Sequence, residues 1–209
     1  MSIEALYQLD PTLSLQRLMC HPWLDLPMAV LSTAGEGWFL ALVAAGLAWK
    51  ANPDRPDALR SALRFLVVLA VTGVLVAVTK RMVDAPRPLL VLGGARVRVL
   101  LDPLHRMSFP SGHAAAAAAL ALLAWREPPA GSRRWPWAFA FLCGLSRVYV
   151  GAHWVTDVVA GWLLGVAVAA VACRAWPLPR RASARPAWAG ARMGEAPAPA
   201  TGGAARVDR

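Results

Sequence analysis

The sequence is poor in charged residues, and this scarcity excludes an ordinary soluble domain. Only 16% of its 209 residues are charged, whereas soluble domains average about 25%. Hydrophobic residues make up 57% of the chain, which is too apolar for a disordered protein. The charges lie between the apolar stretches and sum to +10. A nucleic-acid-binding protein would need its basic residues gathered on one soluble face, so the pattern indicates an integral membrane protein instead.

Cysteine is also scarce. The three cysteines, Cys20, Cys143 and Cys173, are odd in number and widely spaced, so they match no metal-ligand spacing and no disulfide framework. Two of them lie in apolar segments, where a free thiol acts as a small hydrophobic group. The beginning of the chain does not resemble a signal peptide, because Glu4 and Asp10 interrupt it.

Five apolar stretches predict membrane-spanning helices, which need about 20 residues each. They cover residues 27–49, 59–79, 111–125, 135–150 and 155–173. The third and fourth are short for a bilayer. The third is dominated by alanine from Ala114 to Ala119, and small side chains suit close helix contact inside a bundle. We therefore predict an all-α, polytopic membrane helix bundle of about five transmembrane helices, with the third in its interior.

Two segments flank this transmembrane domain, which we predict over residues 27–176. In residues 1–26, four leucines and a tyrosine favour an interfacial amphipathic helix, and an ordinary lead segment is the alternative. These residues are Leu6, Tyr7, Leu9, Leu13 and Leu18. Residues 177–209 are rich in Pro, Ala, Gly and Arg and have no apolar period, so we predict a disordered basic tail.

Basic residues predict how the chain is oriented. Of the 22 Lys and Arg residues, 14 fall around residues 50–64 and 126–134 and after Cys173. The other 8 lie in the N-terminal segment, the long loop 80–110 and the turn 147–154, which are predicted on the opposite side. The positive-inside rule assigns the richer group to the cytoplasm. The second group then faces the periplasm or exterior of an inner (plasma) membrane.

A histidine and an aspartate lie four residues apart at the outward turn before the fifth span. On a helix, this spacing puts His153 and Asp157 on one face with Cβ atoms about 6 Å apart. A carboxylate there accepts a hydrogen bond from one imidazole nitrogen and raises the basicity of the other. The pair is therefore a candidate nucleophile with its orienting acid. A helix-end histidine beside a capping aspartate is the alternative.

The stretch Pro110–His113 opens the third span on the same side of the membrane. A helix that begins after proline with Ser111 and Gly112 leaves backbone N–H groups free at its positive end, which favours an anion. His113 projects from the same turn and is a candidate general acid. A simple helix cap by Ser111 is the alternative.

Three cations, Lys80, Arg87 and Arg147, are also predicted on this side. They would repel one another unless an anion lay among them, and guanidinium groups bind phosphate oxygens through paired hydrogen bonds. For each cation alone, reaching into the lipid headgroup layer is the alternative. Together with the two histidines and the helix-end anion site, they predict an oxyanion-binding active site.

These residues resemble the motifs of the type-2 phosphatidic acid phosphatase family, which is related to the vanadium-dependent haloperoxidases. The family pattern has three parts, K-x6-R-P, P-S-G-H and S-R-x5-H-x3-D. All three occur here in order, as Lys80, Arg87 and Pro88, then Pro110, Ser111, Gly112 and His113, then Ser146, Arg147, His153 and Asp157. The resemblance covers about residues 59–173.

The resemblance implies a role for each matching residue. His153 would attack phosphorus and form a phosphohistidine, Asp157 would orient it, and His113 would protonate the leaving oxygen. The phosphoryl oxygens would be held by Lys80, Arg87, Arg147, Ser111 and the amide of Gly112. No metal and no other cofactor is implied, since cations stabilise the charge on the equatorial oxygens.

A site near the outer headgroup plane favours a lipid phosphate over a soluble sugar phosphate. We expect undecaprenyl diphosphate as substrate, with phosphatidylglycerophosphate, phosphatidic acid and the phosphates of lipid A as close competitors. Membrane lipids are expected partners, and no nucleic acid or obligate protein partner is expected. A lipid phosphotransferase, a haloperoxidase and a non-enzymatic membrane scaffold are the other classes; haloperoxidases are typically larger and soluble.

Two further features have open interpretations. The loop 89–107 carries several polar residues that would contact a second phosphate or a sugar, or would simply be solvated. They are Arg96, Arg98, Asp102, His105 and Arg106. Glu36 is the only charge in the first span, and it lies either near a helix end or beside a polar cavity.

Overall fold

The computed structural model describes residues 9–51, 55–101, 106–126 and 134–177, and these form eight helices. Helices α1 to α4 are Thr12–Met19, Pro22–Ala34, Gly37–Ala51 and Arg55–Val83. Helices α5 to α8 are Pro88–Leu92, Gly112–Arg126, Trp135–Tyr149 and Val155–Ala175. The prediction of an all-α bundle is confirmed for this part of the chain. The predicted tail, beyond Pro177, lies outside the described residues.

The alanine-rich helix α6 is the centre of the bundle. It packs most extensively against α8 and also contacts α7, α4 and α3. Its alanines from Ala117 to Ala119 are at most 1% exposed, and Leu123 is fully buried. The predicted interior position of this helix is therefore confirmed, and alanine suits it because other helices surround it.

Two glycines of α8 allow the close approach between α8 and α6. A Cβ atom at Gly165 would overlap the carbonyl oxygen of Ala115, and one at Gly161 would meet that of Ser111. Helix backbones approach this closely only where the side chain is absent or very small. The contact matters for the site because α6 and α8 both begin at the end of the bundle where the motifs lie.

The first predicted span, residues 27–49, is not one straight helix, which corrects the prediction. A turn at Gly35 and Glu36 joins α2 to α3, whose axes differ by 72°. The N–H of Gly35 bonds to the carbonyl of Ser32 at 3.2 Å, and this tighter turn ends α2. Glu36 thus lies at a helix end, and its carboxylate accepts a 2.6 Å hydrogen bond from the indole of Trp38.

The predicted spans differ from one another in length. Among the described residues, two stretches are long and apolar enough to cross a membrane, Ala58–Leu92 and Val155–Ala175. The bent pair of α2 and α3 is a third if it is counted as one span. Helices α6 and α7 have 15 residues each, fewer than the roughly 20 that a full crossing needs. The five predicted spans are therefore two long helices, one bent pair and two short helices.

Helix α1 belongs to the predicted N-terminal segment, of which residues 1–8 lie outside the described part. Leu18 is 84% exposed, as is Leu9 just before the helix at 77%, whereas Thr12 and Gln16 are buried. The helix therefore directs these two polar side chains and Leu15 toward the protein and Leu18 toward its surroundings. That it lies in a membrane interface stays a prediction.

Candidate active site

The motif segments meet at one end of the bundle and are bonded to each other. The N–H of Ser111, just before α6, donates to the carbonyl of Asp157 in α8 at 3.0 Å. The guanidinium of Arg87, just before α5, donates to the carbonyl of Ala152 at 2.7 Å. Ala152 lies between α7 and α8 in residues 150–154, which we call the His153 loop. The convergence of the three segments on one surface, predicted from hydropathy, is present in the structure.

His153 and Asp157 form a buried pair. The histidine is 2% exposed and the aspartate fully buried, and Nδ1 of the ring lies 3.4 Å from Oδ2 of the carboxylate. The same oxygen accepts a 3.0 Å hydrogen bond from the N–H of Trp154 and another from the hydroxyl of Ser108. Asp157 thus caps α8 and also orients His153, so both sequence interpretations apply. With Nδ1 facing the carboxylate, Nε2 is the nitrogen left for chemistry.

The surroundings of His153 keep its ring neutral. Burial, together with the positive charges of Arg147, Arg87 and Lys80, holds the pKa of His153 well below its usual value. Both effects act in the same direction, because each disfavours the imidazolium form. A neutral imidazole has the free lone pair that a nucleophile needs.

The three predicted cations lie among neutral oxygens. Arg87 and Arg147 are only 5% and 8% exposed, so neither extends into a headgroup layer as the alternative interpretation required. Their hydrogen bonds, and that of Lys80, go to the carbonyls of Arg106 (3.0 Å) and Met107 (2.7 Å) and to the hydroxyl of Ser32. None of the three forms an ion pair with a carboxylate of the described residues. Buried positive charge without a carboxylate partner favours an anionic ligand.

Three buried polar atoms at this end have no hydrogen-bond partner among the described residues. They are the hydroxyl of Ser111, Nε of Arg147 and Oδ1 of Asp157. The interpretation of Ser111 as a simple side-chain cap is therefore wrong, since its hydroxyl caps nothing. The first amides of α6, from Gly112 onward, add backbone donors at a positive helix end. Hydroxyl, guanidinium and amide together suit the oxygens of a phosphoryl group.

His113 stands in the first turn of α6 and is only partly buried. It is close enough to Arg147, Lys80, Arg87 and His153 for their charges to act on one another. An apolar cavity of about 150 Å³ adjoins it, between the junction of α2 and α3, helix α4 and helix α6. Small residues line much of this cavity, namely Gly35, Gly37, Gly73, Gly112 and Ala116.

The loop 89–107 contributes less than the sequence suggested. Arg98 bonds to the carboxylate of Asp25, and Arg106 bonds to that of Asp84 at 2.7 Å. Both arginines are thus engaged by acidic residues of this chain, whereas Arg96 is exposed to solvent. The two other polar residues of this loop, at positions 102 and 105, lie outside the described residues.

Ser108 and Ser32 are part of this arrangement although the sequence analysis missed them. Ser108 donates to Asp157, and the hydroxyl of Ser32 meets Arg147 from α2. Serine is common at both turns and helix ends, so neither position carried a signal by itself. No group of three or more His, Cys, Asp or Glu side chains within the described ranges is arranged to hold a metal ion.

Fold and site together define a helical membrane protein with a candidate oxyanion site built around two histidines. The chain belongs to the PAP2 superfamily, whose family model matches residues 61–181. The family predicted from the three motifs is thereby confirmed.

Solved structures and a curated relative are similar to this chain. LpxE of Aquifex aeolicus is 27% identical with a TM-score of 0.67, covering 83% of this chain and 99% of that one. A PAP2-type phosphatidylglycerolphosphate phosphatase from Bacillus subtilis is 25% identical with a TM-score of 0.60, covering 77% and 82%. An undecaprenyl-diphosphatase of Sulfolobus acidocaldarius is 44% identical over 71 residues, so the match spans only 32% of each chain.

Proposed function

We propose that the protein is a membrane lipid phosphate phosphatase that acts through a phosphohistidine, with undecaprenyl diphosphate as its substrate. One observation carries the proposal: a buried His153, oriented by Asp157, lies in a loop bonded to Arg87, one of three cations without a carboxylate partner among the described residues. A nucleophile and an oxyanion site in one place are what phosphoryl transfer needs.

In the first step, Nε2 of His153 attacks the terminal phosphorus. The bond between phosphorus and the bridging oxygen breaks. His113, which becomes protonated once the bound anionic diphosphate offsets the charge of the cations, gives its proton to that oxygen as the lipid monophosphate leaves. Arg87, Arg147 and Lys80 stabilise the charge that spreads over the equatorial oxygens. Asp157 stabilises the positive charge that develops on the attacking ring.

In the second step, a water molecule attacks the phosphohistidine. His113, now neutral, accepts a proton from this water, and the bond between phosphorus and Nε2 of His153 breaks. Inorganic phosphate leaves, and both histidines return to their starting states. The cations perform the charge stabilisation that a metal ion supplies in other phosphatases, so we propose that turnover needs no metal.

The apolar cavity beside His113 supports a lipid leaving group. His113 is the proposed proton donor to the leaving oxygen, so the chain attached to that oxygen passes on this side. The neighbouring face of α4 is apolar and outward, with Val74 62% exposed and Val78 47% exposed. The similarity to an undecaprenyl-diphosphatase favours that lipid among the candidates. Phosphatidylglycerophosphate is the second candidate, favoured by the Bacillus subtilis neighbour.

We also propose that the site faces the outer side of the cytoplasmic membrane, with the C-terminal tail in the cytoplasm. The excess of Lys and Arg in the loops of the opposite side and in the tail supports this orientation. A cysteine introduced next to Arg96 and labelled with a membrane-impermeant maleimide in intact cells tests it. Labelling only after the cells are opened would reverse the orientation.

The function is tested by phosphate release from purified protein in detergent with a chelator present. The panel contains undecaprenyl diphosphate, phosphatidylglycerophosphate, phosphatidic acid and lipid A, and His153→Ala is the control. We expect undecaprenyl diphosphate to have the highest kcat/KM and the variant to release no phosphate from any lipid. If another lipid gave a higher kcat/KM, that lipid would be the proposed substrate in place of undecaprenyl diphosphate. Full activity of His153→Ala would refute the mechanism.

A further inference from the structure

One short helix from the beginning of the chain is bonded to both flanks of the His153 loop. On the α7 side, the amide nitrogen of Gln16 donates to the carbonyl of Tyr149 at 3.0 Å and to that of Val148 at 3.4 Å. Gln16 also joins the backbone of Arg98, accepting from its N–H at 3.0 Å and donating to its carbonyl at 2.8 Å. A buried amide with so many partners fixes the backbone around it.

On the α8 side, the contacts are made by the residues that precede and open α1. The N–H of Val155 donates to the hydroxyl of Thr12 at 2.9 Å and to the carboxylate of Asp10 at 3.3 Å. The N–H of Thr156 donates to the other oxygen of Asp10 at 3.1 Å. These are the first amides of α8, which a helix leaves unbonded, so a distant segment caps the helix that carries Asp157.

Burial distinguishes these side chains from the rest of the segment. Thr12 is fully buried and Gln16 is 4% exposed, whereas Leu18 on the same helix is 84% exposed. Leu15 packs against the cluster that contains Val148. Thr12 and Gln16 therefore contact the flanks of the His153 loop and not solvent.

We infer that Asp10, Thr12 and Gln16 form a clasp that positions His153 for attack. This inference rests on the proposed function, since it assigns the clasp to the nucleophile of that mechanism. None of the three touches the phosphoryl group, so they are positioning residues. Because both flanks of the loop are held, Nε2 of His153 stays directed at phosphorus. This positioning lowers the barrier of the chemical step.

The clasp is tested with the pair Thr12→Val and Thr12→Ser, together with Gln16→Leu. Valine keeps the shape of threonine but removes the hydroxyl, and serine keeps the hydroxyl. We expect kcat to fall between about 10-fold and 100-fold in Thr12→Val and Gln16→Leu. Thr12→Ser should retain kcat within about twofold, as should the exposed control Leu18→Ala, which removes no contact to the loop. KM should change little in all four.

Inhibition by vanadate separates positioning from loss of folded protein. Vanadate mimics the five-coordinate phosphorus and bonds to the attacking nitrogen, so its inhibition constant reports where His153 lies. We expect that constant to rise in Thr12→Val by a factor similar to the loss in kcat. If kcat fell while the vanadate constant stayed unchanged, the residue would serve only stability, and the inference would be overturned.

The two proposals fail in different ways. An active His153→Ala would refute the phosphohistidine mechanism and the clasp with it. An inactive His153→Ala beside fully active Thr12→Val and Gln16→Leu would refute the clasp alone. The same result would leave the assigned nucleophile intact.

Discussion

The two histidines of the site lie in contrasting surroundings. His153 is 2% exposed, its ring faces a carboxylate, and the flanks of its loop are hydrogen-bonded to α1. His113 is partly exposed, and its side of the site opens on an apolar cavity lined largely by glycine and alanine. The His153 side of the site is therefore fixed by polar contacts, and the His113 side leaves open space.

The difference corresponds to the part of the substrate that each side of the site would contact. Every phosphate ester presents the same tetrahedral phosphorus to the nucleophile, so a fixed geometry on that side serves any substrate. The group that leaves on the other side is a chain of variable length and shape. The mostly apolar space beside the proposed proton donor would accommodate such a chain.

The sharpest test of this comparison replaces each histidine in turn and changes the leaving group. His153→Ala should lower kcat by at least about 10³-fold on both undecaprenyl diphosphate and p-nitrophenyl phosphate, because no phosphoenzyme forms. His113→Ala should show a comparable loss of phosphoenzyme formation only on undecaprenyl diphosphate. Nitrophenolate leaves without a proton, so its release in the first turnover should remain, and later turnovers should be slow because His113 also activates water in the second step. Equal losses of the first turnover for both substrates in His113→Ala would remove its role as general acid.

Arg147 should give the next largest effect. Arg147→Lys keeps the charge but replaces a planar fork by a single point, and it loses the buried Nε that has no partner among the described residues. We expect kcat/KM to fall about 100-fold, as for the loss of one oxyanion donor. Steady-state phosphate release measures it, and a variant within twofold of the parent would contradict the predicted role.

Filling the cavity should affect long chains more than short ones. A Cβ atom at Gly73 would meet no other atom within 4 Å, so Gly73→Leu adds a side chain to open space without a clash at its base. We expect KM for undecaprenyl diphosphate to rise about 10-fold, while kcat/KM for p-nitrophenyl phosphate stays the same. Gly46→Leu is the matched control, since Gly46 also faces open space but does not line the cavity. A similar loss on both substrates would show that the cavity does not receive the chain.

The smallest expected effect concerns pH. Burial and three cations lower the pKa of His153 below its usual 6.5, so the ring stays neutral when the pH falls through 6.5. The acid limb that His153 sets on kcat/KM should therefore lie below pH 6.5. Removing one nearby charge by Lys80→Met should raise the pKa of His153 and move that limb toward higher pH. A limb that moves the other way would contradict the sign of this interaction.

The candidate site residues were predictable because local spacing defines them. His153 and Asp157 are four residues apart, but His153 lies in the loop before α8 and not on the predicted helix face; the cap formed by Trp154 and Asp157 brings the pair together. Ser111 to His113 are consecutive at the start of α6, so both groups are arranged by local backbone. The hydropathy pattern then predicted that the three segments lie on the same side of the membrane. Such local rules also predicted the interior position of the alanine helix.

The contacts that support the chemistry were not predictable in this way. Thr12 meets Val155 across 143 positions and Gln16 meets Tyr149 across 133, and no periodicity reports a contact at that distance. The bend at Gly35 was missed because the residues on both sides of it are equally apolar. Hydropathy measures what surrounds a helix, but it carries no information about where its axis turns.

The short helix at the surface of the bundle has a consequence for the membrane itself. Helix α7 has 15 residues, which rise only about 22 Å against a hydrocarbon layer of roughly 30 Å. Its Phe141 and Leu142 are exposed, so we expect the lipids beside α7 to thin to match its length. A lipid phosphate in this thinned region would lie nearer to the depth of the two histidines while its tail remains in the bilayer.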